Sequence, residues 1–271
     1  MEILKTLKFL TIVLLAFFAV IYVIVVFYVY FNQVGMVFQG AKLPEDYKFE
    51  YHQKFEEVNI KSFDGVKLNG LLFKAENSKG LVFYLHGNAG TLETWGKIAG
   101  IYTRLGYDIF ILDYRSFGKS EGEIENEEQL NKDVSIVYKA FAKKYPESKI
   151  IIAGYSIGSG LATILASENK PKALILQSPY YSFTALSSSK VPFFPNFMKK
   201  FSLETYEYLP KIKAPVYIFH GMKDQLIPYE NSVRLKQLLK EDAHFYPLKD
   251  QDHIGMNENN DFQNELKRIL Q

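Results

Sequence analysis

The sequence feature that most constrains the fold of this chain is a serine placed between a strand pattern and a helix pattern. Residues 149–160 read KIIIAGYSIGSG, and a small, apolar run of helical composition comes next. The chain must therefore turn sharply at Ser156, and Gly154 and Gly158 stand where side chains would collide as strand and helix cross. Such a turn projects the serine hydroxyl and puts it at a helix N-terminus, where negative charge is favoured.

On its own, Gly-x-Ser-x-Gly is a common pentapeptide and marks a turn more often than a nucleophile. Here the buried-type strand before it and the small-residue helix after it favour a nucleophile at Ser156. The Ile157 N–H is the expected first donor to an oxyanion. A reactive serine also needs a base, and a group that orients the base, from elsewhere in the chain.

Strand and helix patterns alternate on both sides of this turn. Residues 55–60 and 66–73 predict a hairpin at the sheet edge. Further strands are predicted at 80–85, 108–112, 149–153, 172–177, 216–220 and 244–248, and helices at 92–105, 127–144, from the turn to 166, 230–239 and 257–270. The alternation predicts one α/β domain over residues 53–271, with a mostly parallel sheet, helices on both faces and a ligand site at the carboxyl ends of the strands.

A long apolar run precedes this domain. Residues 9–31 carry no charge, and about 20 residues are enough for a helix to cross a bilayer. A cleaved signal peptide is the competing interpretation, but its apolar region would be shorter and end in a small-x-small site. We therefore expect a single-pass anchor at 9–31, after an N-terminal flank at 1–8. An aromatic belt at 28–31 would lie at the far interface.

The two flanks of this run differ in charge, and the difference predicts its orientation. Lys5 and Lys8 precede the run, and no charge lies between residues 32 and 41, so the positive-inside rule predicts a cytoplasmic N-terminus and a non-cytoplasmic domain. The C-terminal flank is predicted to be a connector at 32–52, with Gly35, Gly40 and Pro44 interrupting regular structure.

Candidate partners of Ser156 lie after the last two predicted strands. Of the five histidines, His253 comes after a strand end, whereas His220 and His244 lie in or beside strands and favour structural roles. Asp224 comes after the strand at 216–220. The order Ser156, Asp224, His253 is that of a Ser-Asp-His triad on a parallel sheet. Asp250 and Asp252 are the alternative acids, although so short an offset rarely lets a carboxylate reach its neighbour's imidazole.

A second oxyanion donor is expected from the loop after the strand at 80–85. This loop reads HGNAG at 86–90, and its glycines allow the backbone to approach a ligand closely. We assign the donor to the Asn88 N–H, with Ala89 as the alternative. His86 is expected to form hydrogen bonds beneath the loop.

Several stretches resemble the α/β-hydrolase superfamily over residues 55–270, and more narrowly its N-terminally anchored abhydrolase-domain proteins, related to serine aminopeptidase-like and acyl-thioesterase members. The stretches are HGNAG at 86–90, DYRSFGKSEGE at 113–123, GYSIGSG at 154–160, LASEN at 165–169 and DQLIP at 224–228. The resemblance implies the α/β-hydrolase fold, one membrane span, the triad Ser156, Asp224 and His253, and a loop-stabilising role for residues 113–115. Ser116 departs from it, since relatives commonly carry glycine there; if that position needs a positive φ, the loop must change shape or bear strain.

Residues 178–215 form an insertion between two strands, where such folds place a lid. This insertion, which we call the lid, is rich in aromatic residues, and these form either a small satellite core or an apolar acyl pocket over the nucleophile. On the second interpretation, the substrate-binding residues are Phe193, Phe194, Phe197 and Met198.

Composition narrows the possible functions. The net charge is only +2, so no nucleic-acid partner is expected, and the absence of cysteine removes thiolate metal sites and cysteine nucleophiles. Nothing in the sequence predicts a metal or a cofactor. The sequence therefore favours a membrane-anchored serine hydrolase acting on an acyl ester or thioester of a small or lipid-like substrate. A peptidase on the same triad and a non-catalytic binding module are the alternatives.

Overall fold

The computed structural model of the chain describes residues 1–239 and 244–271. Over these residues, eight strands form one sheet, and each lies within two residues of its predicted range. They are β1 (Phe55–Lys61), β2 (Lys67–Phe73), β3 (Leu81–Leu85), β4 (Asp108–Leu112), β5 (Ile150–Tyr155), β6 (Ala173–Gln177), β7 (Val216–Gly221) and β8 (His244–Leu248).

The sheet has the strand order β1-β2-β4-β3-β5-β6-β7-β8. β2 pairs antiparallel with both β1 and β4, and every other neighbouring pair is parallel. Strands β3 to β7 are almost entirely buried, as expected of strands with helices on both faces. Their carboxyl ends meet at one rim, so the loops after β3, β5, β7 and β8 converge there.

Helices cover both faces of the sheet. In the described part of the chain they are α1 (Glu2–Val37), α2 (Leu92–Trp95), α3 (Ala99–Thr103), α4 (Glu127–Ala142), α5 (Ile157–Glu168), α6 (Phe183–Lys190), α7 (Thr205–Tyr208), α8 (Glu230–Lys236) and α9 (Asn260–Leu270). Apolar side chains of α4, α5 and α8 pack into the core on one face, and those of α2, α3 and α9 into the core on the other. The predicted mostly parallel sheet with helices on both faces is confirmed.

The single helix predicted at 92–105 is instead three short segments, because α2 and α3 are separated by a 3₁₀ turn at Gly96–Ile98. The Tyr51 hydroxyl donates to the Leu92 carbonyl, and a Cβ at Gly96 would overlap that hydroxyl. Glycine at position 96 therefore leaves room for the Tyr51 side chain against this segment.

Helix α1 is long enough and apolar enough to cross a membrane. Its 36 residues correspond to a length of about 54 Å at 1.5 Å per residue. It continues past the predicted end at residue 31 and passes through Gly35, so the prediction that Gly35 interrupts regular structure is wrong. A glycine inside a helix costs only about 1 kcal/mol, and here Val34 and Val37 on either side of it pack against the main core.

The segment after α1 is joined to the domain by backbone hydrogen bonds. The Gln39 N–H donates to the Asn88 carbonyl at 2.7 Å, and the Leu43 N–H donates to the Gly118 carbonyl at 3.0 Å. Phe38 is buried in the main core, where its ring contacts the rings of Phe117 and Phe201. The end of α1 and the loop after β3 are thereby held in one position relative to each other.

Candidate active site

Ser156 occupies the sharp turn between β5 and α5. Its backbone is at φ 53° and ψ −119°, a conformation that L-residues rarely adopt and that a surrounding structure must enforce. A Cβ built at Gly154 would overlap the Gly158 carbonyl oxygen, and one at Gly158 would overlap the Leu85 carbonyl oxygen. Only glycine at these two positions lets α5 start so close to β5 and β3.

The structure brings His253 and Asp224 to this serine. His253 comes after β8, and its Nε2 lies 3.0 Å from the Ser156 Oγ. Asp224 comes after β7, and its Oδ2 lies 2.7 Å from the His253 Nδ1. The three side chains are nearly buried and form one chain of hydrogen bonds at the carboxyl ends of three strands.

The charge of Asp224 is stabilised from several sides. Its Oδ1 accepts hydrogen bonds from the Leu226 and Ile227 N–H groups at 2.9 and 2.8 Å, and its Oδ2 also lies 3.3 Å from the His220 Nε2. Burial alone would raise the pKa of Asp224, but the contacts with His220 and His253 outweigh it and hold this pKa well below its ordinary value. Asp224 is therefore an anion near neutral pH.

The two alternative acids do not contact the imidazole in the structure. Asp250 is exposed and pairs with Lys223 at 2.9 Å. The Asp252 Oδ1 accepts from the backbone N–H of His253 at 2.7 Å, which shapes the loop rather than orienting the ring. Of the three acids considered from the sequence, Asp224 alone lies beside a ring nitrogen of His253.

Tyr155 and His220 support this arrangement from behind. The Tyr155 hydroxyl donates to the backbone carbonyl of His253, and the two rings contact each other edge to face. The His220 Nδ1 lies 2.6 Å from the Ser232 Oγ, and its Nε2 lies 2.9 Å from the Ile227 carbonyl oxygen. His220 thus has the structural role expected from the sequence. The role of Tyr155 was missed, and the only signal for it is its position directly before Ser156.

Asn88 and Ile157 lie beside Ser156, and all three line the same cavity. In the part of the chain that the structure describes, neither of their backbone N–H groups donates to another protein atom. Two unused donors next to a serine hydroxyl suit an oxyanion. The Ala89 carbonyl accepts from the Trp95 indole N–H at 2.9 Å, which fixes the loop next to Asn88.

Known proteins are similar to this chain in sequence. The sequence model of the family described as serine aminopeptidase, S33, matches residues 76–209. Protein bem46 of Schizosaccharomyces pombe is 26% identical in an alignment of 223 positions that covers 77% of this chain and 75% of that protein. The uncharacterized protein YfhR of Escherichia coli O157:H7 is 26% identical in an alignment of 210 positions that covers 73% of each chain.

A solved structure shows the same fold. The Pyrococcus furiosus esterase Pf2001 superimposes with a TM-score of 0.65 at 22% identity, over 86% of this chain and 96% of the esterase. The chain has the α/β-hydrolase fold. Both this fold and the resemblance indicated by the sequence motifs are thereby confirmed.

In this α/β-hydrolase fold the loops after β3 and β4 stabilise each other. The buried His86 contacts the Gly87 carbonyl through Nδ1 at 2.7 Å, and its Nε2 lies 3.4 Å from the Asp113 Oδ1. The Tyr114 hydroxyl donates to the His86 carbonyl at 3.0 Å.

Arg115 forms ion pairs with Asp64 and Asp133 at 2.7 and 2.6 Å. These contacts place His86 and residues 113–115 beneath the loops, away from the Ser156 hydroxyl.

Ser116 adopts the left-handed conformation that glycine would adopt more readily. Its φ is 66°, so the loop keeps its shape and the serine bears the strain. The Ser116 Oγ donates to the Glu123 carboxylate at 2.7 Å and accepts from the Ile124 N–H at 3.1 Å. These two hydrogen bonds compensate for the conformational cost, which is about 1 kcal/mol or more.

A mostly apolar cavity of about 210 Å³ adjoins Ser156. Its walls come from the end of α1, the loop after β3, the start of α5, the lid and the loop after β7. The residues are Met36, Val37, Asn88, Ser156, Ile157, Tyr180, Phe183, Leu186, Ser187, Lys190, Val191, Leu226 and Ile227. The contribution of α1 was not predicted, because nothing in a long apolar run shows which of its residues reach the domain.

None of the four predicted substrate-binding residues lines the cavity at Ser156. Phe194 and Met198 pack against Val26 and Val29 of α1, forming a satellite core. Phe193 and Phe197 are exposed. After α6 the lid turns away from Ser156, and its next segment packs along α1. The aromatic residues of the lid therefore serve both as a satellite core and, through Tyr180 and Phe183, as cavity wall.

Among residues 1–239 and 244–271, no cluster of three or more histidine, aspartate or glutamate side chains is placed to hold a metal ion.

Proposed function

We propose that this chain is a membrane-anchored serine hydrolase that cleaves an acyl ester or thioester by way of an acyl-enzyme. The observation that carries the proposal is the position of the His253 ring, with Nε2 3.0 Å from the Ser156 Oγ and Nδ1 2.7 Å from Asp224. A hydroxyl, an imidazole and a carboxylate connected in this order activate a serine for attack on a carbonyl.

In the proposed reaction, the Ser156 Oγ attacks the carbonyl carbon while the His253 Nε2 takes its proton. Asp224 keeps the other proton on Nδ1 and stabilises the imidazolium. The N–H groups of Ile157 and Asn88 donate to the tetrahedral oxyanion, aided by the positive end of the α5 dipole. The imidazolium then protonates the leaving alcohol or thiol. A water deprotonated by His253 releases the acyl group in a second cycle of the same steps.

The cavity supports an acyl chain as the group that is transferred. Its walls are mostly apolar, with side chains of α1, the lid and the loop after β7 around the nucleophile. Apolar, concave sites with a few convergent polar groups are typical for apolar small molecules. We therefore infer a small or lipid-like acyl substrate.

Aminopeptidase activity is the second candidate, because the matching family is described as serine aminopeptidase. An aminopeptidase substrate carries a free α-ammonium group, which needs an acidic or otherwise electronegative partner. Among the residues that line the cavity, Lys190 is the one charged side chain and no carboxylate is present. A cationic lining disfavours an ammonium substrate and leaves the acyl ester or thioester as the better candidate.

The membrane part of the proposal rests on α1. A cleaved signal sequence would separate from the domain, whereas the last third of α1 packs against the lid and the core and lines the cavity. We infer that α1 is retained as a single-pass anchor and, from Lys5 and Lys8 before the apolar run, that the domain is non-cytoplasmic. A full-length chain in the membrane fraction after carbonate extraction is the expected result, and a shorter soluble product would contradict it.

Labelling with a fluorophosphonate probe tests the catalytic proposal, and a chain-length series of esters, thioesters and aminoacyl amides then tests the substrate. The expected result is covalent labelling at Ser156 and faster turnover of esters or thioesters than of amides. Preferential turnover of aminoacyl amides would favour the peptidase. Absence of both labelling and turnover would leave a non-catalytic binding module.

A further inference from the structure

A second, smaller cavity of about 70 Å³ lies next to the one at Ser156, between α1 and the lid. The two cavities share five wall residues: Met36, Val37, Phe183, Ser187 and Val191. The second cavity is also lined by Gln33 and Val29 of α1 and by Phe194, Lys199 and Phe201 of the lid. Together they form an apolar groove, which we call the α1 groove, leading from Ser156 back along α1.

The α1 groove reaches into the segment that crosses the membrane. Val37 lies eight positions after Val29, which corresponds to about 12 Å along a helix. Val29 lies within the charge-free run at 9–31, so one end of the groove is at Ser156 and the other is at the end of the anchor. An apolar chain leaving the bilayer along α1 would enter this groove without crossing water.

The lid tip, residues 191–198, lies beside the same part of the anchor. The Tyr22 hydroxyl donates to the Phe193 carbonyl at 3.1 Å, which places the lid tip level with the second half of the apolar run. At this tip Phe193 is 44% exposed and Phe197 is 88% exposed. At this depth lipid chains, rather than water, would cover the exposed aromatic rings. Lys190 and Lys200 flank the tip and suit an anionic lipid surface.

We propose that the α1 groove binds the acyl chain of a lipid ester drawn directly from the adjoining bilayer leaflet, so that α1 is a wall of the substrate site as well as an anchor. This inference rests on the proposed hydrolase function and deepens it by naming the substrate class. The lid tip enters the bilayer leaflet beside the second half of the apolar run, the acyl chain lies between α1 and α6, and its carbonyl carbon reaches Ser156.

The test uses the full-length chain in vesicles of phosphatidylcholine with a minor fraction of phosphatidylglycerol. Turnover of a long-chain lipid ester in the bilayer is divided by turnover of a water-soluble short-chain ester. This ratio is independent of how much protein folds. Met36→Trp fills the groove from α1, and Val191→Trp fills it from the lid. Phe31→Trp is the matched control, since Phe31 is exposed on α1 and lines neither cavity.

Both groove variants should lower the ratio by at least about tenfold, the loss expected when two methylene groups no longer fit an apolar site. The control should keep the wild-type ratio. An unchanged ratio in both groove variants would overturn the proposal, and so would an equal fall in the control.

A second measurement does not depend on turnover. A lipid with a photoreactive diazirine in its acyl chain should label peptides from 29–37 and 183–191 in wild-type protein, and this labelling should fall in Met36→Trp. Groove labelling without hydrolysis of any ester would contradict the proposed function alone. Ester hydrolysis without groove labelling would contradict the groove alone.

Discussion

The two sides of the Ser156 cavity are held together by different forces. On the strand side, Ser156, Asp224 and His253 come directly after β5, β7 and β8, and hydrogen bonds fix each side chain. On the α1 side, apolar packing predominates, supplemented by polar contacts from Gln33 and Tyr22 to the lid. The register of the sheet determines the geometry of the strand side, whereas the geometry of the α1 side depends on how firmly α1 docks on the domain. We therefore expect changes on the strand side to alter the rate for every substrate, and changes on the α1 side to alter which substrates are used.

The largest effect is expected at Ser156. Ser156→Ala should lower turnover by a factor on the order of 10⁴ or more, because it removes the nucleophile and leaves only substrate binding and the oxyanion donors. Purified variant and wild type are compared with the same ester and by their melting temperatures. Wild-type-like turnover by a folded Ser156→Ala protein would show that the strand side does not contain the reacting group.

Asp224→Asn should lower turnover for all acyl chain lengths by a factor on the order of 10⁴, because an amide favours the wrong imidazole tautomer and does not stabilise the imidazolium. Asp250→Asn is the control, since Asp250 is exposed and its ion pair with Lys223 is remote from the ring; we expect turnover close to that of wild type. If Asp250→Asn or Asp252→Asn is the more damaging change, the assignment of the acid is wrong.

Tyr155→Phe tests whether the Tyr155 hydroxyl holds the His253 ring in position beside Ser156. Without the hydroxyl, the His253 carbonyl loses a buried donor, at a cost of about 1–3 kcal/mol, and the ring can move away from Ser156. We expect kcat to fall about tenfold with little change in KM, measured per probe-titrated active site. Tyr84→Phe is the control, because it also removes a buried hydroxyl hydrogen bond, to Gln177 at 2.9 Å, without contacting His253. An equal fall in kcat for both variants would indicate only a general loss of packing.

The strand side could be predicted from the sequence, because each of its constraints has a local signature. The turn at Ser156 requires glycines at fixed spacing, and a parallel sheet gathers the residues after its strands at one rim. Tyr155 could not be predicted, since its partner His253 lies 98 residues away. Because every residue has a backbone carbonyl, the sequence does not show which one accepts a hydrogen bond from this hydroxyl.

The α1 side could not be predicted, for a different physical reason. Apolar composition shows that a residue avoids water, but not whether a bilayer, a neighbouring helix or a ligand covers it. Phe194 packs on α1, Phe197 is exposed and Phe183 lines the cavity, although all three are phenylalanines of one insertion. The same ambiguity applies to α1, where Met36 and Val37 form cavity wall while most of the preceding apolar residues are exposed.

The smallest effect is expected for Gln33→Ala, which tests whether docking of α1 affects only the choice of substrate. Gln33 is the buried amide of α1: its Nε2 donates to the Met198 carbonyl at 3.2 Å, and its Oε1 accepts from the Lys200 N–H at 2.8 Å. Losing both contacts should weaken docking of α1 on the lid by about 1–2 kcal/mol. We expect faster hydrogen exchange across residues 191–200 and lower turnover of long-chain relative to short-chain esters. Asn32→Ala is the matched control, because the Asn32 amide donates only within its own helix, to the Tyr28 carbonyl. If Gln33→Ala instead lowers turnover equally for all chain lengths, then α1 docking affects the Ser156 rim, and the two sides of the cavity are one mechanical unit.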